Sequence, residues 1–350
     1  MNPISVGLIG TGMAARVFHI PVICSVPGLR LKTVVDRHGA ESQKHFPHGV
    51  AVVGDAAALL QNDSIELVVI ATPNSSHFDL ARQCILSGKH VVVDKPFTTT
   101  SGQALQLIDL AHRHNRIISV FQNRRWDGDF ITVRKIVEEK RLGRLVEFES
   151  HFDRFRNHPR PGAWKEEAGE GSGILFDLGP HLIDQSQVLF GLPKMITAVI
   201  RMQRDFAKTD DNFELILHYD NLKVTLKAGM LVQGPNPRFI LHGSEGSFVK
   251  DGLDPQEEAL KSGATPLEPN WGEDAKEFWG KLYKQRDGCN EEEQVETAPG
   301  CYTAFYQNMV EAIYGREELA VKPEQAMNTI RIIELANMSN EQKRTIPFSL

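Results

Sequence analysis

Three small residues near the start of the chain have the spacing of a phosphate-binding turn. They follow an apolar run, Ile4–Ile9, and open a predicted helix over Arg16–Ile20, in the stretch Gly10-Thr11-Gly12-Met13-Ala14-Ala15. In a GxGxxA turn the first glycine permits the tight bend, the second lets the backbone approach a phosphate, and the alanine lets the helix pack against the strand. Amides and the positive end of the helix dipole then bind the anion. With a strand before it and a helix after it, the motif predicts a dinucleotide site.

Two charged residues lie at the end of the second apolar run, Leu31–Asp36. Asp36 is the last residue of the run, and the other charged residue follows it directly. The carboxylate of Asp36 can accept hydrogen bonds from the hydroxyls of an adenosine ribose and would repel a 2′-phosphate, which favours NAD. Arg37 comes next, and a guanidinium there can accommodate the phosphate of NADP. The sequence therefore leaves both dinucleotides open.

The elements that must position these residues alternate between short apolar runs and amphipathic stretches, which predicts parallel strands joined by helices. The runs at Leu67 and Val91 are apolar without alternation, as expected of strands covered on both faces. Apolar residues have helical spacing over Pro73–Ser87 and Ser101–His114. Gly88 directly follows the first of these predicted helices, at the position of a helix C-cap. Strands are predicted over Ile4–Ile9, Leu31–Asp36, Val50–Val53, Leu67–Ala71, His90–Val93 and Ile117–Phe121.

From about Arg144 onwards the apolar residues alternate over long segments, which predicts an antiparallel sheet. Asn221 is predicted in a tight turn between two of the strands. Residues 252–294 are rich in charge, glycine and proline and are predicted to be irregular. The predicted strands are Leu145–Phe155, Ile196–Phe206, Phe213–Tyr219, Lys223–Ala228 and Arg238–His242, and the closing helices are Tyr302–Tyr314 and Pro323–Asn337.

These patterns predict an α/β protein of two domains, as the length of 350 residues also suggests. Residues 1–122 are predicted to form a Rossmann domain with a doubly wound parallel sheet. Residues 123–350 are predicted to form an α+β domain with a large, mostly antiparallel open sheet, whose C-terminal helices could pack back on the first domain.

The composition narrows the class of protein. A net charge of −6 argues against a nucleic-acid binder, which needs a concentrated basic surface. The sequence shows neither a signal peptide nor an apolar stretch of the roughly 20 residues that span a bilayer. We therefore expect a cytoplasmic protein without membrane or nucleic-acid partners.

Two more segments are predicted at the carboxyl edge of the parallel sheet, where open α/β sheets bind ligands: Ala71–His77 after the fourth strand and Asp94–Phe97 after the fifth. Together with the glycine turn and Asp177–His181, they resemble the glucose-fructose oxidoreductase and inositol dehydrogenase family (Gfo/Idh/MocA) over nearly the whole chain. The segments Phe121–Asp127, His151–Arg156 and Asp177–Gln185 look most like its NADP-dependent scyllo-inositol 2-dehydrogenase group. NADP-using members of that group tend to carry small polar residues in place of Asp36.

The resemblance implies hydride transfer between a substrate carbon and nicotinamide C4. Lys95 matches the lysine of the family's EKP motif, here DKP, and would hydrogen-bond the reacting oxygen. Asp177 and His181 match its DxxxH pair: His181 would be the general acid/base, and Asp177 would orient the imidazole or bind substrate. If Pro180 lies in the first turn of a helix, His181 lies at its start and Asp177 just before it. The implied cofactor contacts are Gly10, Thr11, Gly12, Met13, Ala14, Asp36, Arg37, Thr72, Pro73, Asn74, His77, Lys95 and Pro96.

A cleft that binds a polyol needs many hydrogen-bonding groups and an apolar face. The predicted wall residues are Asn123, Arg124, Arg156, His158 and Trp164. The glycine-rich segment Gly169–Gly173 is a hypothetical lid.

No metal site is predicted: Asp177, His181 and Asp184 have the chemistry of metal ligands, but they are too few for a closed site and the resembled family uses no metal. Two alternatives remain beside a polyol or sugar dehydrogenase. An NAD(P)-sensing regulatory protein would bind dinucleotide without turnover. An NAD-dependent glycoside hydrolase would hydrolyse without net NADH formation. A homodimer or homotetramer is implied by the resemblance.

Overall fold

A computed structural model of the chain describes residues 2–37 and 46–350. It consists of two compact units. The first comprises Met1–Trp126, Gln256–Trp271 and Cys301–Met327, and the second Asp127–Pro255, Gly272–Gly300 and Asn328–Leu350. Two later segments of the chain thus belong to the first unit, and the domain boundary predicted after residue 122 stays a prediction.

A parallel sheet, with six strands in the described residues, forms the centre of the first unit in the order β3-β2-β1-β4-β5-β6. The apolar runs at Leu67 and Val91 are buried strands, because both faces of the sheet are covered. The predicted doubly wound sheet is confirmed, with ends that differ by one or two residues. The strands are β1 Ile4–Ile9, β2 Leu29–Val35, β3 Ala51–Val53, β4 Leu67–Ile70, β5 His90–Val93 and β6 Ile118–Val120.

The helices begin and end at recognisable signals. The side chain of Thr100 caps α4 by accepting from the amide of Gln103, and Gly88 follows α3 with a φ of +74°. The helices in the described residues are α1 Ile20–Cys24, α2 Ala56–Leu60, α3 His77–Leu86, α4 Ser101–Arg113, α5 Gly128–Glu138, α6 Ile174–Phe190, α7 Gln256–Lys261, α8 Thr303–Ile313 and α9 Pro323–Gln342.

The helix after the glycine turn differs from the one predicted over Arg16–Ile20. A π-helical turn occupies Ala15–His19 and continues directly into α1. Pro21 explains the wider turn, since it has no N–H and its ring would crowd the carbonyl one α-helical turn earlier.

The second unit contains a sheet of nine strands, counted over the described residues, in the order β14-β13-β12-β11-β7-β10-β9-β8-β15. Its neighbours are antiparallel except β7 and β10, so the predicted mostly antiparallel sheet is confirmed. Apolar residues alternate along β9, where Phe213, Leu215 and Leu217 are buried. The strands are β7 Leu145–His151, β8 Met195–Arg201, β9 Asn212–His218, β10 Lys223–Gly229, β11 Phe239–Gly243, β12 Gly246–Lys250, β13 Gly280–Arg286, β14 Cys289–Val295 and β15 Ile346–Pro347.

The prediction that residues 252–294 are irregular is wrong. This region contains α7 and the β13–β14 hairpin, whose turn has Asp287 and Gly288 at φ values of +51° and +78°. β14 reads CNEEEQV and is almost entirely exposed, so it has no apolar alternation to reveal it. The Asp-Gly dipeptide, typical of tight hairpins, was the available signal.

The two edges of this sheet are β14 and β15. β14 carries the consecutive acids Glu291, Glu292 and Glu293, whereas β15 has only two residues, the second of which is Pro347.

In the described residues, no helix combines the length and apolar character needed to cross a bilayer.

Candidate functional site

The turn after β1 can be made only with glycine at its first position. Gly10 has a φ of +102°, and a Cβ added there would lie 2.4 Å from the carbonyl oxygen of Ala71. That oxygen belongs to the residue following β4, the strand beside β1. The turn therefore lies against the crossover point between β1 and β4, where doubly wound sheets bind ligands.

The lack of a side chain at Gly12 has a different role from that at Gly10. A Cβ added at Gly12 would meet no atom within 4 Å, so the space before the turn is open. The side chain of Met13 is 57% exposed beside it, whereas Ala15 is fully buried under the turn. An open glycine backbone at the start of a helical segment fits the diphosphate of a dinucleotide.

The two glycines should respond differently to alanine. We expect Gly10→Ala to destabilise the fold by roughly 1–3 kcal/mol, because a Cβ is strained at this φ and collides with Ala71. Gly12→Ala should leave unfolding unchanged but weaken dinucleotide binding roughly 10-fold, or about 1.4 kcal/mol. Denaturant unfolding and calorimetric titration measure the two effects. Equal losses of stability in both variants would contradict the separate roles.

Asp36 and Arg37 follow β2 at the same edge of the sheet. Asp36 is only 3% exposed, and its backbone N–H donates to the carbonyl of Val53, 3.0 Å away. Arg37 is exposed. The structure thus buries the acid and exposes Arg37, an arrangement that selects neither NAD nor NADP.

The loops after β4 and β5 are connected by His77. Its Nδ1 lies 2.8 Å from the carbonyl oxygen of Pro96, and its Nε2 lies 3.0 Å from that of Thr72. Burial lowers the pKa of His77, although the charge of Asp94 and these carbonyls oppose that shift. His77 was predicted as a cofactor contact, and the structure shows it as a fully buried side chain that links two loops. These loops carry other predicted cofactor contacts, including Pro73 and the buried Asn74.

Lys95 follows β5 and is joined to Pro96 by a cis peptide bond. Its backbone N–H donates to Oδ1 of Asp94 at 2.8 Å. Burial raises the pKa of Asp94, but the neighbouring His19, Lys95 and His77 lower it by more than burial raises it. The net pKa therefore lies below the ordinary value. The first unit therefore places an ionised carboxylate directly before the predicted catalytic lysine.

Asp177 and His181 lie inside α6, so the predicted placement around a helix start is wrong. α6 begins at Ile174, which puts Asp177 in its first turn and Pro180 in its interior. Asp177 and His181 are consequently one turn apart on the same face of the helix. His181 is 5% exposed, with its ring 6.3 Å from that of Phe152.

Lys165 is a neighbour of this pair that the sequence did not indicate. Its Nζ lies 2.5 Å from Oδ1 of Asp177, and it also lies 5.7 Å from the ring centroid of Trp164. Asp177 thus has a cationic partner. In the part of the chain that the structure describes, no three His, Cys, Asp or Glu side chains are grouped to hold a metal ion.

The start of α6 is fixed by a residue that arrives from a distant loop. Gly173 precedes the helix with a φ of +91°, and the amide of Leu175 donates to Oδ2 of Asp210 at 2.8 Å. Burial raises the pKa of Asp210, while this bond and that from Thr209 oppose the shift. No local signal marks Asp210 as a cap, since it follows Leu175 by 35 residues. The proposed lid Gly169–Gly173 is held at its end by the amide of Gly173, which donates to the carbonyl of Lys165 at 2.9 Å, and its closure stays a prediction.

Arg238 connects α6 to the sheet. Its guanidinium lies between the rings of Phe152 and Phe239, 4.2 and 4.1 Å from their centroids. It donates to Oε1 of Gln185, one turn beyond His181, at 2.9 Å. The signal available in the sequence was an arginine directly before the apolar run Phe239–Leu241, at the start of a predicted strand.

The predicted substrate-wall residues lie in both units. Asn123 and Arg124 belong to the first unit and are buried, and the guanidinium of Arg124 pairs with Glu257 and lies 3.5 Å from the Tyr302 hydroxyl. Burial would raise the pKa of Glu257, but Arg124 and Lys261 lower it to about 2. Arg124 is thus already part of an internal ion pair.

Arg156, His158 and Trp164 belong to the second unit. Arg156 donates to Glu166, which also accepts from Arg204 at 2.9 Å. His158 is exposed and offers its carbonyl to Arg204, whereas Trp164 is 39% exposed. A substrate contact by these five residues stays a prediction.

The two folds described above agree with comparisons to known proteins. Residues 4–122 match the model "Oxidoreductase family, NAD-binding Rossmann fold", and residues 134–348 match "Oxidoreductase family, C-terminal alpha/beta domain". The chain is 43% identical to the uncharacterized oxidoreductase YdgJ of Escherichia coli (strain K12), over 98% of both proteins.

Two further similarities extend along the chain. It is 36% identical to the scyllo-inositol 2-dehydrogenase (NADP(+)) IolW of Bacillus subtilis (strain 168), over 99% of this chain and 96% of that protein. The solved structure of the putative oxidoreductase yvaA from Bacillus subtilis has a TM-score of 0.95 at 36% identity, over 99% of both chains. Both halves of the chain, and their order, therefore show that it belongs to the Gfo/Idh/MocA family of NAD(P)-dependent oxidoreductases.

Proposed function

We propose that this oxidoreductase moves a hydride between nicotinamide and a secondary hydroxyl or ketone of a small polyol, an inositol or a sugar. The observation that carries the proposal is the placement of the half-buried Asp177 and the buried His181 one turn apart on α6. An imidazole beside a carboxylate suits proton exchange with a hydroxyl near neutral pH. The similarity to a relative named scyllo-inositol 2-dehydrogenase supports the substrate class.

The bound dinucleotide would supply the hydride acceptor in oxidation and the hydride donor in reduction. The turn at Gly10–Ala15 would hold its diphosphate, and Asp36 or Arg37 would contact its adenosine ribose. His181 takes the proton from the substrate hydroxyl, and Lys95 donates a hydrogen bond to the reacting oxygen as negative charge develops there. Asp177, paired with Lys165, orients the imidazole or binds a second hydroxyl.

A panel of inositols and aldoses, assayed with NAD and NADP by the absorbance of the reduced nicotinamide, tests this function. We expect turnover with at least one polyol. Tight dinucleotide binding without turnover on any member would favour the regulatory alternative. Hydrolysis of glycosides without net NADH would favour the NAD-dependent hydrolase.

The choice between NAD and NADP should depend on Asp36. Replacing it by serine removes a carboxylate that repels a 2′-phosphate, so we expect the ratio of kcat/KM for NADP over NAD to rise roughly 10- to 100-fold. Arg37→Ser is the matched control at the adjacent position and should lower this ratio. The same ratio in wild type and Asp36→Ser would remove Asp36 from cofactor choice.

Assembly and location complete the proposal. A homodimer or homotetramer and a cytoplasmic location stay predictions, which gel filtration with light scattering and cell fractionation would test.

A further inference from the structure

His19 is a buried side chain with two ring nitrogens in different surroundings. It ends the π-helical turn Ala15–His19 and is fully buried. Its Nδ1 lies 2.6 Å from the hydroxyl oxygen of Tyr306, and its ring lies 4.4 Å from the ring of Phe121. Tyr306 and Phe121 thus fix the plane of the imidazole.

The opposite nitrogen faces the residue before the predicted catalytic lysine. His19 Nε2 is buried and has no hydrogen-bond partner among the described residues, and Oδ1 of Asp94 lies 3.8 Å from it. The same Oδ1 accepts the backbone N–H of Lys95. One carboxylate oxygen therefore lies between the imidazole and the peptide that carries Lys95.

Charge decides where the proton of His19 lies. His19, Lys95 and His77 keep the pKa of Asp94 low despite its burial, so Asp94 is a carboxylate that can only accept. Burial and the charge of Asp94 raise the pKa of Tyr306 well above its usual value, so Tyr306 keeps its proton. In the neutral ring, Tyr306 donates to Nδ1 and the ring proton lies on Nε2, and in the imidazolium both nitrogens carry protons. Nε2–H faces Asp94 in either state.

We propose that His19 is a positioning residue for the proposed hydride transfer: its Nε2–H orients the Asp94 carboxylate, which holds the backbone of Lys95. The expected effect of His19 on kcat rests on the proposed function, whereas the contacts that His19 makes do not depend on it. A contact of 3.8 Å is longer than a hydrogen bond, and such contacts commonly tighten when the ligand of a site is bound. His19 itself touches neither reacting atom in this scheme, so it acts through Asp94 and Lys95.

A pair of amide variants separates positioning from packing. In His19→Gln the amide nitrogen can replace Nε2 and still donate towards Asp94, whereas the shorter amide of His19→Asn reaches only the position of Nδ1. We expect His19→Gln to keep kcat near the wild-type value and His19→Asn to lower kcat by roughly 10- to 50-fold, because small misplacements of a catalytic group are costly. The dinucleotide dissociation constant should stay unchanged in both.

A purely structural role would change other quantities. It would lower the unfolding midpoint and the dinucleotide affinity of both variants alike, since His19 ends the turn that follows the phosphate-binding glycines. Equal loss of kcat in the two variants would also overturn the proposal.

The tautomer of His19 gives a readout without substrate or cofactor. Ring ¹⁵N shifts of the intact protein, assigned to His19 by through-space contacts with the ring of Phe121, should show a protonated Nε2. An unprotonated Nε2 would overturn the proposal even if the variants do not fold. If wild-type protein turns over no polyol, the proposed function fails while this measurement still decides the role of His19.

Discussion

Replacing His181 by asparagine is expected to lower kcat at least about 100-fold, the usual contribution of a positioned general acid/base. Asparagine can hydrogen-bond but cannot exchange a proton near neutral pH. His181 is buried on α6, away from the turn at Gly10–Ala15 in the chain, so dinucleotide binding should be nearly intact. Steady-state assays with the best substrate of the polyol panel and calorimetric titration of the dinucleotide measure the two quantities.

The second unit offers a matched control in His151. It is also buried and lies between two carboxylates, with Nε2 3.1 Å from Glu149 and Nδ1 3.3 Å from Asp153. His151→Asn should cost stability and leave kcat near the wild-type value. An unchanged kcat in His181→Asn would assign the proton transfer to another group.

Replacing Lys95 by methionine is expected to lower kcat by roughly 100- to 1,000-fold, the range found when a donor to a developing oxyanion is removed. Methionine keeps most of the length and apolar character of the side chain but removes the ammonium. The backbone bond from residue 95 to Asp94 does not depend on the side chain, so the loop should keep its conformation. Pre-steady-state measurement of nicotinamide reduction would place the loss in the chemical step.

Lys89 lies directly before β5, whereas Lys95 follows this strand. Lys89→Met is therefore the control for Lys95→Met. The Nζ of Lys89 donates to the carbonyl of Asn62 at 3.0 Å, and the residue is 5% exposed. Lys89→Met should therefore lower the free energy of unfolding without a large change in kcat. Equal kinetic losses in both lysine variants would show a general weakening of the sheet instead of a catalytic role for Lys95.

The first unit was predictable because its signals are local. A strand buried on both faces needs a continuous apolar run, as at Leu67 and Val91, and only glycine permits the φ of Gly10. Each of these requirements can be read within a few residues of the chain. The order of the strands in the sheet was not predicted, because it depends on pairing between strands that are distant in the chain.

The parts that were missed depend on partners that are distant in sequence. The first turn of α6 is capped by Asp210, so Pro180 was taken for the helix start although it lies inside the helix. Arg124 and Arg156 were chosen for their donors, yet Glu257 and Glu166 already accept from them. A sequence shows which groups can bind a polyol, but not which of them are already paired within the protein.

The edges of the nine-stranded sheet restrict how copies of this chain can associate. An unpaired edge normally invites another strand, but side-by-side glutamates repel an identical edge, and Pro347 has no N–H to offer. Growth of the sheet by adding strands from a neighbour is thus disfavoured at both ends. Association of copies at this sheet is therefore left to its broad face, where side chains, and not backbone hydrogen bonds, decide which partner fits.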